Sequence, residues 1–169
     1  MTMERDYVDN VQEQWRRVNP NISTEPAAII HRMRRLAQLI ARQSEVVLAD
    51  LGLSRADFDI LALLTRSGVP LTPSELAEDL ITSGPGTTKR IKNLVDAGFV
   101  TRDANPADGR GALIRMTQHG RDTIIPALQS ISNFETGLLD VLSEPKREEL
   151  AGLLRQLLLF VEPPSKKAG

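Results

Sequence analysis

Cysteine is absent from this 169-residue chain. Its absence excludes disulfides, thiolate metal sites and thiol redox sensing, and leaves His31 and His119 as the only imidazoles. Neither a structural zinc nor any other metal or cofactor is expected. Aromatic residues are scarce, with one tryptophan, Trp15, so the intrinsic fluorescence of the chain reports chiefly on one place. No stretch reaches the roughly 18 apolar residues of a membrane span. The opening residues are acidic and amphipathic and lack the apolar core of a secretory signal. A soluble protein of the cytoplasm, without a membrane partner, is the expectation. Also missing are a glycine-rich phosphate loop with its lysine, a GxSxG elbow and metal-ligand spacing, which argues against an enzyme. His31 lies among Arg32, Arg34 and Arg35 and reads as a pocket or surface residue, not as a catalytic base.

A strong net charge is lacking too: the chain carries −1 at neutral pH. Binding depends on local field, however, and the charge is unevenly spread. Between Gly86 and Arg115, Lys89, Arg90, Lys92, Arg102, Arg110 and Arg115 oppose only Asp96, Asp103 and Asp108, a local excess of +3. A length of 169 residues suits a single domain with an added helical layer.

What is present is a sequence of helices. Tyr7, Val8, Val11, Trp15 and Val18 recur at spacings of three and four, predicting a first helix over Met3 to Val18. A second is expected from about Pro26 to Asp50, capped by Thr24, with Ile29, Met33, Leu36, Ile40, Val47 and Leu51 on its apolar stripe. Ser54 caps a third, Arg55 to Ser67, with Asp57 in its first turn, Gly68 as its stop and Phe58, Ile60, Leu61 and Leu64 facing the core. Thr72, Pro73 and Glu75 form the sharpest local signal, a capping box opening a short helix to Leu80. After a turn at Ile81 to Gly84, Pro85 opens a basic helix that Gly98 ends after Ala97. Phe99 to Asp103 and Ala112 to Met116 read as strands around a hairpin tip at Asn105 to Gly111. Thr117 caps a long helix to about Leu142, and Ser143 with Pro145 opens a last, leucine-rich one. That excess of leucine points to burial between subunits, hence a homodimer.

Helix, turn, basic helix, strand, tip and strand in that order make a winged helix-turn-helix. The fold class is mainly α with a small β-hairpin wing, plus a helical dimerisation layer from both termini. Within a single domain over 1–169, residues 1–52 and 118–162 form the dimerisation region and 53–117 the DNA-binding region, with 163–169 a flexible tail. On the basic helix, Ile91, Leu94 and Val95 turn to the core, and helical phase adds Thr87 and Arg90 to that side. The outer face holds Thr88, Lys89, Lys92, Asn93 and Asp96. Thr88 and Asn93 suit base edges or phosphates, Lys89 and Lys92 supply charge, and Ser83 stands at the anion-attracting helix entrance. At the tip, Arg110 between two glycines suits a narrow minor groove. Asp108 either pairs with Arg110 or is an ordinary turn aspartate. Arg102 and Arg115 contact phosphate or simply face solvent. The expected partner is a double-stranded DNA operator.

These residues resemble the MarR family of bacterial winged-helix regulators, from about Ile29 to the C-terminus. The family's wing signature is matched by Asp108, Arg110, Met116 and Thr117, with Gly120 following. A narrower likeness is to the urate-responsive PecS, HucR and TamR branch, which adds an N-terminal helix carrying a tryptophan, matched by Trp15. The branch's aspartate and arginine seven residues apart are matched by Asp59 and Arg66, and its recognition-helix arginine by Arg90. The likeness implies a dimeric regulator, most often a repressor, in which a small anionic effector near Trp15, Asp59 and Arg66 disturbs a link from Asp59 to Arg90. Gly84, Pro85 and Gly86 depart from the hydroxyl-rich entry usual at this helix. The alternatives are a winged-helix protein interaction module and a constitutive DNA binder with no ligand. In that plainer case Trp15 packs a dimer, Asp59 and Arg66 are solvated, and Arg90 reaches along the surface to phosphate.

Overall fold

The computed structural model describes residues 4–106 and 108–162, with only the backbone of residues 108–110; the tail expected at 163–169 lies outside the described residues. Helix α1 (Tyr7–Val18) begins later than the apolar periodicity suggests, because Asp6 and Asp9 form a capping box that sets its first turn. It lies against α2 (Glu25–Ala49) through Val8 and Gln12, whose Nε2 donates to the Thr24 carbonyl at 2.6 Å. Thr24 therefore contributes a buried backbone acceptor, and its hydroxyl caps nothing. Tyr7, Trp15 and Val18, placed on the apolar face of α1, stay largely exposed in the protomer.

Helix α3 (Arg55–Ser67) is the centre of the core. Ser54 and Asp57 cap it reciprocally, and Gly68 ends it in the left-handed conformation. Phe58, Ile60, Leu61, Leu63 and Leu64 are all buried, a width of apolar surface that only a helix covered on several sides can use. Each such side chain contributes about 1.5–3 kcal/mol when fully buried. Leu76 of α4 (Pro73–Asp79), Ile91 and Leu94 of α5 (Gly84–Asp96), and Ile124, Ala127 and Ile131 of α6 (Gln118–Leu139) close around it. The Thr72–Glu75 capping box opens α4 as the sequence indicates.

Strands β1 (Val100–Asn105) and β2 (Asp108–Met116) pair antiparallel, with Val100 opposite Met116 and Arg102 opposite Ile114. The pairing runs on to Asn105 and Asp108, so residues 109–111, expected in the tip, belong to β2. Leu71 bridges Ile114 through two backbone hydrogen bonds, which ties the wing base to the entrance of α4. At the exit of β2 the Thr117 hydroxyl donates to the Gly98 carbonyl at 2.7 Å and accepts from Gly120 N–H. A side chain on Gly120 would run into the Phe99 carbonyl, so this crossing admits only glycine without displacement. Helix α6 ends at Leu139, three residues short of expectation, and α7 (Glu144–Val161) buries none of its side chains in the protomer. No helix among the described residues is long and apolar enough to cross a membrane.

Candidate nucleic-acid interface

The residues that present α5 are set by three local choices. Ser83 precedes the helix in extended conformation, yet its side chain caps no backbone donor. Pro85 in the first turn removes one N–H that would otherwise need a partner. The entrance to α5 thus keeps backbone donors and a hydroxyl facing outward, an arrangement that attracts anions. Thr87 is buried and its hydroxyl lies 2.7 Å from that of Thr82, which fixes the turn against the helix.

Thr88, Lys89, Lys92 and Asn93 are all exposed along the outer face. The Thr88 hydroxyl donates to the Gly84 carbonyl at 3.0 Å, so its lone pairs remain as acceptors toward solvent. Lys89 and Lys92 have no ion-pair partner among the described residues. Together with Arg102 of β1 they border a trough of about 700 Å³ whose floor is Pro85, Ile91 and Val95. The side chains of Asp108 and Arg110, expected at the wing tip, lie outside the described residues.

Two placements differ from the sequence expectation. Arg90 and Val95, assigned to the inner side of α5, are exposed, Val95 at 36%. The buried line is Thr87, Ile91 and Leu94, and at 100° per residue both Arg90 and Val95 stand about 70° from its centre. A single layer of core beneath α5 covers only that narrow stripe. The expected link from Asp59 to Arg90 is also absent among the described residues. Asp59 instead accepts from Arg55 Nε at 2.9 Å, one helical turn away on α3. Arg66 reaches the other way, its Nη2 2.7 Å from Oδ1 of Asp79 at the end of α4. Trp15 is 47% exposed on α1. The four residues are thus not assembled into one pocket within the protomer. A cavity of about 500 Å³ between the end of α3, β2 and the start of α6 carries Arg115 and Arg121 on an apolar lining and none of these four.

Residues 51–111 match the MarR family, which covers α3, the helix-turn-helix and β1. Over 149 residues the chain is 31% identical to the HTH-type transcriptional regulator PecS of Dickeya dadantii, covering 87% of this chain and 90% of that protein. The chain belongs to the MarR family. It is similar in structure to a mutant E. coli MarR complexed with operator DNA, at a TM-score of 0.73 and 26% identity over 80% of this chain and 96% of that one. Sco5413, a MarR family regulator from Streptomyces coelicolor, superposes at a TM-score of 0.72 and 26% identity, over 81% and 95% of the two chains. As a MarR-family transcriptional regulator the protein binds DNA, and its relatives are regulators, not enzymes. The outer face of α5 and the trough beside it are the parts of this member suited to that task.

Sequence reasoning missed the trough and left Arg102 undecided between phosphate and solvent. Alternation along the strand carried a usable signal, because it separates Arg102 from Asp103 and Arg115, but which strand face meets α5 is a tertiary fact.

Proposed function

We propose that this MarR-family protein is a homodimeric repressor that holds a DNA operator through α5 and the wing and leaves it when a small anionic ligand binds. In this reading residues 53–117 read DNA, while residues 1–52 and 118–162 join the protomers. The observation that carries it is the outer face of α5: Lys89 and Lys92, without an ion-pair partner among the described residues, beside Thr88, Asn93 and the open entrance at Ser83. Asp108 and Arg110 complete the contact from the wing, Arg110 toward the minor groove.

The ligand is urate-like, phenolic or carboxylate, as the likeness to the PecS branch implies, and acts through Trp15, Asp59, Arg66 and Arg90. The pair of Arg66 with Asp79 offers it a lever. Asp79 is the last residue of α4, five positions before α5 begins, so an anion that takes the Arg66 guanidinium frees the end of the helix that braces the reading head. Such a ligand must bind the DNA-free form more tightly, since equal affinity for both forms shifts nothing, and a hundredfold preference corresponds to about 2.7 kcal/mol. A second reading, a constitutive DNA binder, is favoured by the separation of the four residues in the protomer.

The test is Trp15 fluorescence during titration with urate and a panel of phenolate and carboxylate anions, run in parallel with anisotropy of labelled promoter duplex. Saturable quenching that coincides with DNA release, and is lost in Arg66→Gln, supports the switch. Tight salt-dependent DNA binding with no response to any anion establishes the constitutive reading. Failure to bind duplex DNA would leave a winged helix that docks on protein.

A further inference from the structure

We infer that Arg102 is a backbone-phosphate contact of the operator complex and that the trough between α5 and β1 seats one sugar-phosphate strand. The inference rests on the DNA-binding reading and adds to it a residue that neither the helix nor the wing tip supplies.

The wing carries two arginines in its paired strands, and the register sorts them. Thr101 lies opposite Arg115, and Asp103 lies two residues along on the same face of β1. Arg115 Nε sits 3.1 Å from Oδ2 of Asp103, so its charge is answered within the hairpin. Arg102 points to the other face, the one that buries Val100 and Ile114 against the core. Arg102 there lines the trough together with Lys89 and Lys92. No ion pair neutralises Arg102 among the described residues.

Three cations around one trough repel one another, and solvent alone screens them in the free protein. A polyanion laid along the trough removes that repulsion. The lining suits the same occupant: exposed Pro85 and the part-exposed Val95, over the buried Ile91, present apolar surface that a deoxyribose covers, while phosphates beside it meet the cations. Thr88 borders the same trough with its acceptor lone pairs outward, toward the bases. Phosphate contacts of this kind position a protein on the duplex and carry no sequence preference of their own.

The experiment compares full-length wild type with Arg102→Gln, Arg102→Lys and Arg115→Gln by anisotropy, on promoter duplex and on an unrelated duplex, between about 50 and 200 mM salt. Arg102→Gln is expected to weaken binding to both duplexes by the same factor and to lower the slope of log affinity against log salt by about 0.9 for each protomer bound. Arg102→Lys should keep the wild-type slope, and Arg115→Gln should leave it unchanged. Thermal midpoints within a degree or so of wild type show that the hairpin stands. A wild-type slope in Arg102→Gln, or equal losses in Arg102→Gln and Arg115→Gln, overturns the inference while leaving the DNA-binding reading intact. Wild-type protein that fails to bind duplex DNA overturns both, and wild-type binding with no salt dependence overturns the inference alone.

Discussion

Arg32 reaches from α2 to the cap of α1, with Nε 2.7 Å from Oδ2 of Asp6 and Nη2 2.6 Å from Oδ1 of Asp9. The Arg32 guanidinium, followed by the Asp9 backbone N–H, holds the Asp6 carboxyl at about 2, below its ordinary 3.8. Asp9 is lowered as well, first by the Asp6 N–H and then by Arg32, whose own proton is held more firmly in return. A carboxyl depressed in the folded state stabilises above its unfolded pKa, and that contribution is lost as pH falls through the folded value. Docking of α1 should therefore hold down to about pH 4 and fail between about pH 4 and 2, followed by Trp15 fluorescence and amide exchange of α1. In Arg32→Ala this acid transition should vanish, with α1 amides already exchanging faster at neutral pH. The side chains are a third to a half exposed, so added salt should blunt the effect. Arg66 with Asp79 and Arg55 with Asp59 show how little charge alone reveals: each aspartate was visible in the sequence, its partner was not.

At the scale of elements, the connection from α4 to α5 holds the one residue besides glycine with positive φ among those described, Ile81 at 51°. A β-branched side chain in the left-handed region crowds its own carbonyl, at a cost of about 1–2 kcal/mol. Ile81 is also 86% exposed, so burial does not offset the strain. Glycine there costs extra chain entropy in the unfolded state but relieves the clash. Ile81→Gly should raise stability by about 0.5–1 kcal/mol in thermal or urea denaturation, while Ile81→Val should leave it near wild type. The cause of the strain is plain: Leu80 N–H bonds the Leu76 carbonyl and Thr82 N–H the Ala77 carbonyl, so the chain must reverse within Ile81. Capping residues made these helices legible beforehand, since Ser54 with Asp57 and Thr72 with Glu75 act within four residues. Thr24 makes no side-chain cap because its backbone, at φ −98° and ψ 1°, is not in the extended conformation from which the hydroxyl reaches the first-turn N–H groups.

For the whole molecule, exposed apolar side chains are frequent on α7, α1 and α2. Leu150, Leu153 and Leu157 make a stripe on α7 at spacings of three and four, each at least 40% exposed, and Trp15, Leu36 and Leu39 are open on α1 and α2. An exposed apolar area of this extent fits the proposed homodimer. Leu153→Glu with Leu157→Glu should convert the protein to monomers in sedimentation velocity. The same double variant should lose more than about tenfold in operator affinity, because two linked reading heads bind far more tightly than one. Dimers that persist with both glutamates in place would place the interface elsewhere.

The helices, the caps at Ser54, Thr72 and Thr117, the wing and its order after the basic helix followed from the sequence by itself, because each depends on interactions within a few residues. The family followed as well, since the wing signature of Asp108, Arg110, Met116 and Thr117 is a matter of identity and spacing. Tertiary structure alone decided which faces those elements present. It exposed Arg90 and Val95 by covering only a narrow stripe of α5, gave Arg66 to Asp79, and set Arg102 beside Lys89 and Lys92. Contacts between residues thirteen or more apart depend on how layers cross, and no local periodicity encodes that crossing.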